Sequence, residues 1–260
     1  MFRQLRNHFI KSENSMRGLF AILIMALWAS VSMAAEVHIA VSGNDTSGNG
    51  SIAAPFATLA RGLEEAEAGD TIILAQGEYQ AGLSIRKPNL TITSRPGERA
   101  VLKASYTDEE EDTCLYIKTE ASGLTLSRLE ITGGYYYAVM FESTWDWGLP
   151  EKEAATNVLI EDCVIHDTGR DCIKITPAAD NITIRNCEIY NSGMRDDSNA
   201  EGIDNVNGDH MRVINCYIHD IATTGIYFKG GATNCLVAGC LIVNCGGMGI
   251  GVGFDTSTEW

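Results

Sequence analysis

The sequence predicts an all-β fold, a right-handed parallel β-helix that coils as a single-stranded solenoid behind a short N-terminal capping helix. One observation is a cysteine followed by an apolar residue two positions on and by Asp or Asn four positions on, at Cys163, Cys187, Cys216 and Cys240. The intervals of 24, 29 and 24 residues lie in the range of solenoid repeats. A second observation is that no amphipathic helix separates these repeats.

Each repeat also contains a second short strand with alternating side chains. These strands read AVMFE from Ala138, CIKIT from Cys172, GIDNV from Gly202, GIYFK from Gly225 and GIGVG from Gly249. Alternation places one side chain in the core and the next outside. A coil that stacks each strand on its equivalent one turn below forms parallel sheets, and equivalent residues then form columns.

The cysteine column is predicted to be structural, with small apolar thiols that fill the core. Adjacent turns are also close enough for disulfides, which eight cysteines in an exported chain would favour. A zinc site is disfavoured because a column supplies ligands in a line and because no CxxC pair occurs. His166 and His219 occupy equivalent positions after the cysteines and are interpreted as another column.

Residues 1–35 have the layout of an export signal. Four basic residues precede an apolar run over residues 18–31, and small residues follow at Ser32, Ala34 and Ala35. We expect cleavage after Ala34 or Ala35, a secreted protein that is extracellular or periplasmic, and a β-helix domain over residues 36–260. The apolar run is shorter than the roughly 20 residues of a spanning helix, so we expect no membrane span after leader removal.

The predicted mature chain is strongly acidic, with 15 Lys and Arg against 33 Asp and Glu and a net charge of −18. This charge disfavours nucleic acid and anionic membrane surfaces as partners. An acidic polysaccharide would also be repelled unless a bound cation or a local basic patch offsets the field. The length suits one elongated domain, which we expect to be a monomer. The sequence ends at Trp260 soon after a predicted strand, so we expect the coil to be incomplete at its C-terminus.

The segment from Val41 to Tyr79 carries a GND turn at residues 43–45, the motif PFATLA at residues 55–60 and the strand GDTIILAQGEY at residues 69–79. Residues 56–68 have apolar side chains at helical spacing and predict a short helix. These elements resemble the opening of the pectate-lyase-like superfamily of secreted β-helix proteins. The resemblance implies the β-helix architecture, with the helix covering the end of the coil, and an extracellular polysaccharide as partner. Members include pectate lyases, alginate lyases and mannuronan epimerases.

Calcium-dependent lyases of this superfamily hold the cation with Asp and Glu on adjacent turns and use Lys or Arg as the base. In this sequence an acidic stretch over residues 195–210 supplies the extra length of the 29-residue repeat. The strand alignment places Asp171 one turn below Glu201. The predicted ligands of a calcium ion are Asp171, Asp197, Glu201 and Asp204.

The alignment also places Lys174, Asp204 and Tyr227 in one outward column, with Lys229 outward on the last of these turns. Lys229 is the predicted base, and Arg195 and Lys174 are predicted to bind a substrate carboxylate. This arrangement resembles that of family 9 pectate lyases. The remaining predicted substrate contacts are aromatic side chains that could stack on sugar rings, namely Trp145, Trp147 and Tyr227.

Two other functions remain open at this stage. The pair Asp196 and Asp197 could serve a glycoside hydrolase of the polygalacturonase type, since inverting hydrolysis uses two carboxylates. However, the GHG and RIK segments that usually accompany such a pair are absent. A non-catalytic carbohydrate-binding or surface protein would need only aromatic and polar side chains on the same coil.

Overall fold

The computed structural model describes residues 34–144 and 152–253, which form three parallel sheets. Sheet 1 contains, in spatial order, β1 (Glu36–Ile39), β2 (Thr71–Leu74), β5 (Thr91–Ser94), β8 (Thr125–Ser127), β11 (Leu159–Glu161), β14 (Thr183–Arg185), β17 (Arg212–Ile214) and β20 (Leu236–Ala238). Sheet 2 contains β3 (Gly77–Gln80), β6 (Ala100–Lys103), β9 (Glu130–Thr132), β12 (Val164–His166), β15 (Glu188–Tyr190), β18 (Tyr217–Ile221) and β21 (Leu241–Cys245). Sheet 3 contains β4 (Leu83–Ile85), β7 (Thr113–Ile117), β10 (Tyr137–Phe141), β13 (Ile173–Ile175), β16 (Ile203–Val206), β19 (Ile226–Lys229) and β22 (Ile250–Val252). The predicted right-handed parallel β-helix is confirmed.

Each turn of the coil adds one strand to each sheet, and the core is filled by stacked aliphatic side chains. In sheet 1, for example, Ile160 pairs with Ile184, which pairs with Val213, and all three are buried. Burial of such side chains is the main favourable term in the stability of the fold.

Asn and Asp residues that recur once a turn lie at the corners of the coil. Asn157, Asn181 and Asn234 have φ values of 58°, 58° and 55°, in the left-handed region that Asn tolerates better than most residues. A second corner column is joined by side-chain hydrogen bonds, since Asn191 Nδ2 donates to Asp167 Oδ1 at 2.9 Å. The periodic polar residues therefore set the bends between sheets.

The cysteine column packs inside the coil as predicted. Cys163, Cys187 and Cys216 are buried, and each Sγ donates to a carbonyl oxygen of the neighbouring turn at 3.7 Å. All eight cysteines are free thiols.

The predicted helix near the N-terminus is present but shorter than the interval 56–68. Helix α1 (Leu59–Glu65) begins after Thr58, whose side chain accepts a hydrogen bond from Arg61 N–H at 3.2 Å. Phe56 lies outside the helix because its backbone bridges to Ile39 of β1. The helix packs on β1 and β2, and a short 3₁₀ helix follows at Glu109–Glu111.

The predicted leader falls mostly outside the described residues, and its cleavage stays a prediction. Within the part of the chain that the structure describes, none of the helices has the length and apolarity needed to cross a bilayer.

Candidate active site

Three neighbouring strands of sheet 3 carry the polar residues of the candidate site. In β13, β16 and β19 the residues Ile173, Ile203 and Ile226 pair with one another and point into the core. Alternation then turns the next residue of each strand outward. The register aligns Lys174 with Asp204, Asp204 with Tyr227, and Val206 with Lys229, so the predicted outward column is present.

Three carboxylates converge on this outer face. Asp171, Glu201 and Asp204 each offer an oxygen atom within 4.8 Å of the others. All three residues are buried, with exposed fractions of 0%, 5% and 0%. Buried carboxylates are rare unless they are paired or bind a cation, because removing a charge from water is costly.

The backbone of the coil places Asp171 beside Glu201. Glu201 N–H donates to Asp171 Oδ1 at 3.0 Å, and Cys172 N–H donates to the Glu201 carbonyl oxygen at 3.0 Å. These bonds join adjacent turns just before β13 and β16 begin. The spacing of the two carboxylates therefore follows from the coil and not from a flexible loop.

Two lysines neutralise part of this charge. Lys174 Nζ bonds Asp204 Oδ2 and lies 3.6 Å from Asp171 Oδ2. Lys229 Nζ lies 3.1 Å from Asp204 Oδ1 and 4.7 Å from the ring centroid of Tyr227. Three carboxylates and two ammonium groups leave a formal charge of −1 in the cluster.

The charges shift one another's pKa values. Burial raises the pKa of Asp171 well above its usual range; the Lys174 ammonium opposes this, and the Asp204 and Glu201 carboxylates add to it. Burial alone would lower the pKa of Lys174, but Asp171 and Asp204 raise it above the ordinary lysine value. The two carboxylates therefore favour the charged form of Lys174.

The carboxylates fit a hard divalent cation such as calcium. Asp171 Oδ2 and Asp204 Oδ1 are buried, and their contacts with the Lys174 and Lys229 ammonium groups lack hydrogen-bond geometry, so both oxygens keep lone pairs for a cation. Calcium takes six to eight oxygen ligands, and three carboxylates can supply several of them. The residues that would hold the ion are Asp171, Glu201 and Asp204.

The structure does not bring Asp197 into this group, and its role as a fourth protein ligand stays a prediction. Asp197 is exposed, whereas the three clustered carboxylates are buried. The reason is that residues 195–199 form an irregular segment between β15 and β16, where strand register does not fix side-chain position.

The other predicted contacts have separate positions. Arg195 packs its guanidinium 4.0 Å from the ring centroid of Tyr135, and its Nε donates to the Tyr135 carbonyl oxygen at 2.9 Å. Tyr227 is largely buried, at 6% exposure, which leaves little of its ring for a sugar. Trp145 and Trp147 lie outside the described residues.

Sequence reasoning missed Arg170, which borders the cluster. Its Nε donates to the Asn199 carbonyl oxygen at 3.0 Å, and its guanidinium carbon lies 5.8 Å from the ring centroid of Tyr136. Arg170 thus ties the segment before Glu201 to the turn below. The one feature of the sequence that could have indicated Arg170 is its position directly before Asp171.

Asp196 belongs to a local turn and not to the cluster. Its Oδ1 accepts hydrogen bonds from Ser198 Oγ at 2.6 Å and from Ser198 N–H at 3.2 Å. These bonds lower the pKa of Asp196. A carboxylate of this kind stays ionised at neutral pH and is poorly suited to act as a general acid.

Two family profiles match the chain. Residues 37–205 match the profile described as "Pel9A-like, right handed beta helix region", and residues 152–259 match "Right handed beta helix region". The chain belongs to the Pel9A-like right-handed β-helix family. No curated protein sequence matches this Pel9A-like chain.

Solved structures share the fold at low identity. Pectate lyase Pel9A superposes with a TM-score of 0.69 at 16% identity over 84% of this chain and 56% of its own. A rhamnogalacturonan lyase gives 0.63 at 18% identity over 86% and 64%. An alginate lyase from Paenibacillus sp. str. FPU-7 gives 0.60 at 20% identity over 79% and 65%. The Pel9A-like chain thus spans less than two thirds of each of these structures.

Proposed function

We propose that this Pel9A-like protein is a polysaccharide lyase that cleaves an extracellular uronate polymer by β-elimination, with a bound calcium ion. The proposal rests on the position of Lys229. Its Nζ lies 3.1 Å from Asp204 Oδ1, which belongs to the buried cluster of three carboxylates. A base and a cation site in one place are what this elimination requires.

The reaction removes a proton and expels a sugar oxygen. Lys229 must first release its own proton to water, and the amine then takes the proton from the carbon beside the uronate carboxylate. The electron pair of that C–H bond forms a carbon–carbon double bond, and the glycosidic C–O bond breaks. The departing oxygen is protonated by water. A calcium ion held by Asp171, Glu201 and Asp204 would supply positive charge next to the substrate carboxylate. Asp204 then stabilises the ammonium that Lys229 becomes.

Arg195 is suited to bind a second substrate carboxylate. Stacking on Tyr135 and the Nε hydrogen bond fix its guanidinium. Its two terminal nitrogens have no hydrogen-bond partner among residues 34–144 and 152–253 that the structure describes, so they are free to bind a carboxylate in a bidentate manner. Lys174 was predicted to share this role, but its ammonium is already bound to Asp204.

The similar structures support a polysaccharide substrate. They are a pectate lyase, a rhamnogalacturonan lyase and an alginate lyase, enzymes whose substrates contain uronates. The predicted export signal is consistent with action on such a polymer outside the cell. A hydrolase of the polygalacturonase type is less well supported, because Asp196 is held as a low-pKa carboxylate in an exposed turn.

The test is to incubate the purified protein with pectate, rhamnogalacturonan and alginate, with calcium or with a chelator, and to record the ultraviolet absorbance of the unsaturated product. We expect calcium-dependent product on at least one polymer and none from Lys229→Ala. Lys118→Ala is the matched control, since Lys118 is also a largely buried lysine paired with a carboxylate, Glu142, and the two residues directly follow β7 and β10 of sheet 3. Polymer retention without product would instead indicate a carbohydrate-binding protein.

A further inference from the structure

Lys174 lies where a divalent cation would have to bind. Its side chain extends outward from the middle of β13 and is only 12% exposed. The ammonium bonds Asp204 and lies 3.6 Å from Asp171 Oδ2. It therefore contacts two of the three carboxylates that form the cation site.

An ammonium and a calcium ion cannot both bind these oxygens closely. Calcium–oxygen distances are about 2.3–2.6 Å, so an ion bound to Asp171 and Asp204 would lie within a few ångströms of Nζ. At that separation the repulsion between a divalent ion and an ammonium is strong in a site with little water.

We propose that Lys174 is a built-in counter-ion that competes with the divalent cation for Asp171 and Asp204 and withdraws when the cation binds. The inference rests on the cation site of the proposed function. Without the ion, the ammonium keeps the buried carboxylates paired, which a folded protein needs. With the ion bound, the flexible four-carbon stem can move the ammonium toward the ring of Tyr137, whose centroid is 6.0 Å from Nζ.

Cation binding is then an exchange of one positive group for another. Because calcium must displace the ammonium, its affinity is lower than three buried carboxylates alone would give. Because the ammonium pairs with the carboxylates when calcium is absent, the fold does not depend on the ion. Removing the ammonium should therefore strengthen cation binding.

The experiment compares the calcium affinity of the wild-type protein, Lys174→Met and Lys118→Met by isothermal titration calorimetry, with terbium luminescence as a second probe. Methionine keeps much of the apolar stem and removes the charge. We expect Lys174→Met to bind calcium at least about tenfold more tightly than the wild type. Lys118→Met should bind like the wild type, because Lys118 pairs with Glu142 and not with the cluster.

An unchanged or weaker affinity of Lys174→Met would overturn the proposal. If this variant is unfolded in chelator, its folding is measured by circular dichroism as calcium is added: recovery supports the exchange, and failure to recover contradicts it. Binding and activity are separate readouts. If Lys174→Met binds calcium more tightly but the wild-type protein gives no lyase product, the exchange stands and the proposed reaction is refuted. If the wild type gives product but Lys174→Met binds calcium as the wild type does, only the exchange is refuted.

Discussion

Replacing Asp204 by asparagine should destabilise the fold more than any other single neutralisation in the cluster. Asp204 is fully buried and is the carboxylate that both lysines contact. In Asp204→Asn, Lys174 keeps only the 3.6 Å contact with Asp171, and Lys229 has no carboxylate partner among the described residues.

The size of the effect follows from the burial of the two ammonium groups. Removing one partner of a buried ion pair costs about 3–5 kcal/mol. The lysine side chains are 12% and 13% exposed and can turn partly toward water, so we expect about 3 kcal/mol. For a domain of this size that loss lowers Tm by roughly 6–12 °C.

The assay is urea unfolding at neutral pH in chelator, followed by circular dichroism and supported by a thermal scan. Asp220→Asn is the control, because Asp220 forms an exposed pair with His219 and its loss should change the free energy of unfolding little. A free energy of unfolding for Asp204→Asn within about 1 kcal/mol of the wild type would refute the argument that Asp204 anchors the cluster.

Two further predictions concern the coil itself. Asn191→Ala should lower the free energy of unfolding in urea by about 1–2 kcal/mol, because alanine is strained at φ 52° and cannot form the hydrogen bond to Asp167. Asn191→Gly should lower it less, because glycine adopts this φ without strain. Equal losses in the two variants would argue against backbone strain. Burial raises the pKa of both Cys114 and Cys172 to about 12, and it also raises the pKa of the more accessible, half-buried Cys245. A disulfide reagent at about pH 8 should therefore modify Cys245 slowly and leave Cys114 and Cys172 unmodified in the native protein, and fast labelling of Cys114 would contradict the core packing.

The repeat frame could be predicted from sequence because each column has a physical cause that recurs once a turn. Asn recurs at corners that need positive φ, as at Asn157 and Asn181, and cysteine recurs where a small apolar side chain fills the core. The same register placed Lys174 beside Asp204, since strand alignment fixes neighbours across turns.

The rest of the candidate site could not be predicted in this way. Alternation turns Asp204 outward, yet the residue is fully buried because neighbouring side chains cover it, and a strand pattern carries no information on that cover. Asp197 lies in an irregular segment without register. The contact of Arg195 with Tyr135 joins residues 60 positions apart that belong to no common strand column.

The charge around the cluster offers an explanation for how so acidic a chain could admit an anionic polymer. The chain carries −15 overall, but four basic side chains collect in and around the cluster, at Lys174, Lys229, Arg170 and Arg195. The acidic side chains of the same region are Asp171, Glu201, Asp204, Asp196 and Asp197. The local formal charge is thus −1, and a bound divalent cation would reverse its sign. Under the proposed function, the cation would both activate a uronate and make its approach favourable, so polymer binding should depend on calcium even in a variant that lacks the Lys229 amine.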